Sequence, residues 1–453
     1  MSCQFPDTGG AAFRPRLTCL ITAVLLLGLH ACTPQEREES GGPQMAAEAA
    51  TGNVIFIHPD GAGSAAWAIQ RMVDYGPDGM SNWDKLPQVG LYRGHLEDSP
   101  VSTSNGGATS HAFGTKGRYE DYGFDDERRA LSGERRSILR EAQAAGISVG
   151  IINSGHIAEP GTGIFAASAP HRDMEEVIAA RIIESGVDLI LSGGEVFLLP
   201  QGVTGFHGVE GRRTDGRNLL DEARAAGYTV VFTNGQLDAV PDSTSKLLGV
   251  FAAYHTFNDM SEEELAAQNL PLYNPSAPTL AEMSAKALQM FATRSEPFFL
   301  VVEEEGSDNF ANDNNATGTI EALRRADAAI GLAHAFCRED GNTLLITASD
   351  SDAGSPAIFA VRDPAMFNES LPERMENGAP LDGRNGTASP PFVAAPDDSG
   401  VRFYFGVAWA GFSDLGGSVM ARAAGLNSEE LPANVDNTDI YRLMYLTLFG
   451  KRL

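Results

Sequence analysis

Carboxylates gather in this sequence where apolar runs end. The run Val54-Ile55-Phe56-Ile57 leads into His58, Pro59 and Asp60, and the run 298–302 leads into Glu303, Glu304, Glu305 and then Asp308. A third run, Leu344-Leu345-Ile346-Thr347, is followed by Asp350, Ser351 and Asp352. One acidic strand end is an ordinary solvated turn or helix cap. Three on a common edge would repel one another unless cations neutralised them, so the economical chemistry is a divalent metal centre.

Bringing those ends together requires strands that point the same way. Apolar runs at 54–57, 149–152, 188–191, 229–232, 298–302, 344–347 and 403–407 read as buried strands. Helical periodicity at 137–145, 174–183, 216–226, 280–292, 319–336 and 438–449 lies between them. The alternation predicts an α/β fold with a large, mostly parallel central sheet sandwiched by helices. In such sheets ligands bind beyond the carboxyl ends of the strands, which is where the acidic residues fall. Segment 363–400, rich in Pro, Gly, Asn and Asp, is expected as a surface insertion in one domain spanning 51–453.

The chain has 453 residues, 43 % of them hydrophobic, which is enough for a sizeable core. Its formal net charge of −27 argues against nucleic acid as a partner, because phosphate backbones need Lys and Arg neutralisation. Arg14 and Arg16 precede an apolar stretch at 17–29 that closes on His30-Ala31-Cys32. That stretch is short for a span, which needs about 20 residues. Residues 1–31 therefore read as a signal peptide of lipoprotein type, with Cys32 acylated and 32–50 as a flexible tether. These features predict a cell-envelope location: periplasmic, as an outer-membrane lipoprotein that meets the membrane through its lipid at Cys32. With Cys3 and Cys19 removed, Cys337 is the remaining thiol besides Cys32, and no internal disulfide staples the fold.

Several motifs then fall in a recognisable order. Segment 53–63 places Asp60 before Gly61, segment 101–109 reads Val-Ser-Thr-Ser-Asn-Gly-Gly-Ala-Thr, and segment 302–312 holds Glu303 and Asp308. Together with 215–219 and 435–440, this set resembles the alkaline phosphatase superfamily from about residue 53 to the C-terminus. The resemblance implies Ser104 as a nucleophile that carries the phosphoryl group. Thr103 is the alternative, since relatives in the superfamily use a Thr nucleophile; it also departs from the family pattern, which commonly has Asp just before the nucleophile. Counting on from Glu159 in segment 151–167 gives Arg172 the place of the phosphate clamp, where a guanidinium fork matches two phosphoryl oxygens.

The resemblance further implies Asp60, Glu303, Asp308 and Asp350 as metal ligands. At the positions of the family's zinc-ligand histidines stand Asn312, Ser351 and Asp414, with Trp409 or Asp352 as alternatives for the last. His58 and His111 are the histidines beside these motifs, and each reads as a structural residue. Such an oxygen-rich set suits Mg²⁺, Ca²⁺ or Mn²⁺ better than Zn²⁺. The implied activity is metal-dependent hydrolysis of a small phosphate monoester through a serine phosphoryl-enzyme, and a homodimer is compatible with it. Two alternatives stay open: a phosphodiesterase of the same superfamily, and a catalytically lapsed envelope lipoprotein that binds metal or phosphate.

Overall fold

The computed structural model describes residues 49–124 and 128–453. The signal segment, Cys32 and all of the tether except Ala49 and Ala50 lie outside the described residues. In chain order the first strands are β1 (Asn53–Pro59), β2 (Gln88–Arg93), β3 (Ser148–His156), β4 (Leu189–Gly193), β5 (Thr229–Val231), β6 (Leu247–Val250), β7 (Phe298–Glu304) and β8 (Thr343–Thr347). Short strands follow at β9 (Asp352–Ala353), β10 (Ala357–Val361), β11 (Leu381–Gly383), β12 (Gly386–Thr387) and β13 (Phe392–Val393). The last are β14 (Tyr404–Ala408), β15 (Asp414–Leu415), β16 (Val419–Gly425) and β17 (Asn434–Asp436).

Ten of these form one sheet in the order β17-β2-β16-β8-β1-β7-β3-β4-β6-β5. Its neighbours run parallel except where β16 lies antiparallel between β2 and β8. The sequence explains the burial. Side chains alternate across a strand, so an unbroken apolar run such as Val54–Ile57 must be covered on both faces. Val54 and Phe56 pack into one core with Ala108, Phe165 and Tyr441, whereas Ile55 and Ile57 pack into the other with Trp67, Met283 and Leu323. Helices Ser104–Phe113, Pro160–Ala166 and Asn437–Phe449 cover the first face; Leu280–Ala292 and Ala316–Asp340 cover the second. Truncating fully buried Phe56 to Ala would cost about 3–5 kcal/mol.

One strand belongs elsewhere than the apolar pattern placed it. The 403–407 run forms β14, which sits in a separate antiparallel sheet between β10 and β11, with β13 also paired to it. Residues 363–400 supply β11, β12 and β13 to that sheet, and Phe392 and Ala394 share a small core with Phe405, Val407 and Ile69. The helix Ser104–Phe113 replaces what reads locally as a Gly-rich loop. Thr103 caps it by accepting a hydrogen bond from the Gly106 amide at 3.3 Å. Its glycines answer to packing: a Cβ on Gly107 would stand 2.5 Å from the Asp350 Cβ.

Candidate active site

The carboxyl ends of β1, β3, β7 and β8 converge, and each delivers a polar side chain that is fully buried. Asp60 follows β1, Glu303 and Glu304 end β7, and Glu305 and Asp308 open the next helix, Gly306–Asn312. Asp350 follows β8. Asp60, Glu303 and Glu305 bring oxygens within 4.8 Å of one another, and Asp60 also forms such a group with His58 and Asp350. Four residues expected as metal ligands, Asp60, Glu303, Asp308 and Asp350, thus meet around one edge of the sheet.

The electrostatics of this edge are those of buried carboxylates that repel one another. Burial, with repulsion from Asp60 and Glu159, pushes the Glu303 carboxyl up to about 8 against the opposing pull of His58. Burial also holds Glu305 well above the usual range, helped by Glu159 and Glu303. Asp308 is raised in the same way by burial and by Asp414, and Asp350 by burial and Asp60. Asp60 is the exception. Burial would raise it, but His58 outweighs that and holds the carboxyl well below its ordinary value, with Ser104 adding to the effect.

The residues fit divalent cations on a second ground. Asp60 Oδ2, Glu303 Oε1, Glu305 Oε2, Asp308 Oδ1, Asp350 Oδ2 and Asn312 Oδ1 are buried and have no hydrogen-bond partner among the described residues. A buried oxygen without a donor is costly, and a shared cation removes that cost. Glu304 also keeps one oxygen, Oε2, unpartnered among the described residues, but its other oxygen is saturated. Its Oε1 accepts from Ser154 at 2.8 Å, Tyr273 at 2.6 Å and the Gly306 amide at 3.2 Å, so it ties β7 to its surroundings.

The other expected residues divide by position. Ser104 lies at the start of its helix and lines a cleft of about 380 Å³ with Arg172, Asp308, Asn312 and Asp414. Thr103, one residue earlier, donates to the Tyr119 carbonyl at 3.1 Å while capping the helix. Arg172 has a side chain 39 % exposed and reaches to 3.8 Å from Glu159. Asn312 donates to Asp308 at 2.9 Å, and Ser351 donates to Asp414 at 2.8 Å. The two alternatives to Asp414 lie elsewhere: Trp409 donates to Asp382, and Asp352 accepts from Ser355.

Two histidines were not anticipated here. His156 at the end of β3 and His255 beyond β6 both donate to Glu159 Oε1, at 2.8 and 3.0 Å. These imidazoles outweigh the burial of Glu159 and hold it ionised. The expectation that only His58 and His111 accompany the motifs is therefore corrected. Applying the strand-end rule to β3 and β6 would have found both, but Leu-Leu-Gly-Val of β6 is too short a run to stand out. His111 itself is buried against the Tyr92 hydroxyl at 2.7 Å, a structural placement.

A parallel sheet with a carboxylate cluster and a helix-borne serine at its carboxyl edge defines a metallohydrolase architecture. The alkaline phosphatase family model matches residues 51–366, and the chain belongs to that family of phosphoric ester hydrolases. Membership implies divalent metal ions. It is 26 % identical over 358 residues to the repressible alkaline phosphatase of Saccharomyces cerevisiae, covering 75 % of this chain and 61 % of the relative. With the alkaline phosphatase of Escherichia coli (strain K12) it shares 24 % identity over 347 residues, covering 68 % of this chain and 71 % of the relative. Its fold is similar to that of the Thermus thermophilus alkaline phosphatase, with a TM-score of 0.69, 22 % identity and coverage of 89 % and 92 % of the two chains. The alkaline phosphatase of the Antarctic bacterium TAB5 superposes with a TM-score of 0.67 at 22 % identity, covering 89 % and 100 %.

Proposed function

We propose that the protein hydrolyses small phosphate monoesters through a phosphoserine at Ser104, using divalent cations held by Asp60, Glu303, Asp308 and Asp350. The observation that carries this reading is the position of Ser104, beside an ionised Asp60 and in the cleft that Arg172 overlooks. The Arg172 guanidinium binds two phosphoryl oxygens and orients phosphorus toward the Ser104 hydroxyl. The Ser104 oxygen forms a bond to phosphorus as the bond to the ester oxygen breaks; the Ser104 hydroxyl proton passes to solvent in the open cleft, and the leaving alcohol takes one up from it. Water then attacks phosphorus, the bond to Ser104 breaks, a proton from the water returns through solvent to the Ser104 oxygen, and inorganic phosphate departs. When bound, the cations lower the barrier by stabilising charge on the attacking and leaving oxygens. A neighbouring hollow of about 780 Å³, sharing Tyr254, His255 and Asp259 with the cleft, leaves room for the alcohol portion.

The cations proposed for the carboxylates are Mg²⁺, Ca²⁺ or Mn²⁺, which suit anionic oxygens. A variant of the TAB5 enzyme is described with Mg bound in its M3 site, which agrees with this class of ion. A lipid at Cys32 and an envelope location belong to the same proposal, as does a homodimer. Asn312, Ser351 and Asp414 in place of imidazoles favour one second reading: a lapsed relative that binds metal and phosphate without turnover. Hydrolysis of p-nitrophenyl phosphate by chelated protein, with metals restored singly, separates the two. Phosphate and metal binding with no hydrolysis under any cation would leave only the second.

A further inference from the structure

His58 stands at the carboxyl end of β1 and is fully buried. Its Nδ1 is 2.8 Å from the carbonyl of Ala348, and a carbonyl only accepts, so Nδ1 carries hydrogen. The opposite nitrogen, Nε2, has no hydrogen-bond partner among the described residues. It faces Asp60 Oδ1 at 3.4 Å and Asp350 Oδ1 at 4.0 Å. The remaining oxygens of both carboxylates, Asp60 Oδ2 and Asp350 Oδ2, are also unpartnered among the described residues.

We infer that His58 is a nitrogen ligand to a divalent cation held with Asp60 and Asp350. Two ligand atoms about 2.1 Å from a tetrahedral cation are separated by about 3.4 Å, which matches the His58–Asp60 spacing. The contact to Ala348 is the kind that orients metal-binding imidazoles: one ring nitrogen donates to a carbonyl while the other is left for the ion. Ala348 and Asp350 lie on the same strand end, so one segment fixes the ring and supplies a ligand.

Among the described residues His111 and His255 also keep an unpartnered Nδ1, but neither is grouped with Asp60 and Asp350 as His58 is. His156 Nδ1 accepts from the Ala158 amide at 3.2 Å, which assigns the ring hydrogen to Nε2, where it meets Glu159. His111 Nε2 is engaged by Tyr92. The consequence is a divided centre. Asp60, Glu303 and Glu305 offer oxygen alone, whereas His58, Asp60 and Asp350 form a mixed nitrogen and oxygen site that favours Mn²⁺ or Zn²⁺ over Ca²⁺. Asp60 is common to both groups.

This inference rests on the proposed reading of the carboxylates as a metal centre, and the test separates the two. Chelated full-length protein is titrated with Mn²⁺, and electron spin-echo modulation is recorded on the bound ion. The wild type should show coupling to an imidazole nitrogen that changes when histidine is labelled with ¹⁵N. His58→Gln should lose that coupling and bind Mn²⁺ about 10-fold or more weakly, while His156→Gln/His255→Gln should keep the coupling. If His58→Gln does not fold, His58→Asn and the double variant carry the assignment: coupling lost in the first and kept in the second. Bound Mn²⁺ without nitrogen coupling, or coupling lost only in the double variant, would overturn the role of His58. No Mn²⁺ binding at all would overturn the metal centre itself, and the inference with it.

Discussion

Loading the centre with metal should expel protons, and the amount follows from the buried carboxylates. Burial, with Asp60 and Glu159 nearby, holds the Glu303 carboxyl at about 8 in the metal-free protein. At pH 7 such a group carries about 0.9 proton, and at pH 9 about 0.1. A cation requires the carboxylate, so Glu303 alone should release about 0.9 proton on loading at pH 7, falling toward zero by pH 9. Glu305, Asp308 and Asp350, also raised by burial and by one another, add to this. Metal affinity should therefore rise about 10-fold per pH unit per proton below pH 8.

Stability has the opposite sign in the metal-free form. A carboxyl raised from 4.5 to about 8 contributes stability that is fully present below its unfolded value and is lost as pH rises through its folded value. Chelated protein should thus melt progressively lower from pH 5 to pH 9, and bound metal should restore the difference. Calorimetric titration with Mg²⁺ or Mn²⁺ in buffers of differing ionisation enthalpy counts the protons directly. Metal binding with no proton release at pH 7 would show that the carboxylates are already ionised, refuting the picture of carboxyls raised by burial and mutual repulsion.

Further perturbations probe individual parts of the site. Gly161→Ala would put a Cβ 1.9 Å from Glu303 Oε1, so it should cost about 1–3 kcal/mol of stability and weaken metal binding; calorimetric metal affinity equal to wild type would dissociate Glu303 from the centre. Arg172→Ala should weaken phosphate inhibition by about 10- to 100-fold while leaving metal content unchanged, measured by inhibition kinetics and elemental analysis. Cys32→Ala should release the protein from membranes, and unchanged fractionation of that variant would refute the lipid anchor.

How far the sequence could be read depended on the range of the forces involved. Strands β1, β7 and β8 declare themselves because burial on both faces demands unbroken apolar runs, and their acidic ends mark the edge where a site could form. The helix beginning at Ser104 is hidden by Gly106 and Gly107, whose smallness answers to Leu96 and Asp350, partners distant from or outside the segment. β14 carries the apolar signature of a central strand yet pairs in the small sheet, since pairing is set by tertiary register and not by composition. His58 was legible as a residue next to Asp60, and the sequence favoured a structural role for it over that of a ligand. The contact that orients it comes from Ala348, 290 positions away. Glu159 is only three residues from His156, but His255 joins it from beyond β6, 96 positions away, which no local pattern relates.

The central claim is that Ser104 takes the phosphoryl group, and rapid acid quenching tests it most directly. Metal-loaded protein is mixed with p-nitrophenyl phosphate, quenched within a turnover and digested, and the peptide spanning 101–109 is sequenced by mass spectrometry. One phosphoryl group should be found on Ser104, should persist in Thr103→Ala, and should vanish with turnover in Ser104→Ala. A phosphoryl group on Thr103, or undiminished hydrolysis by Ser104→Ala, would contradict the account.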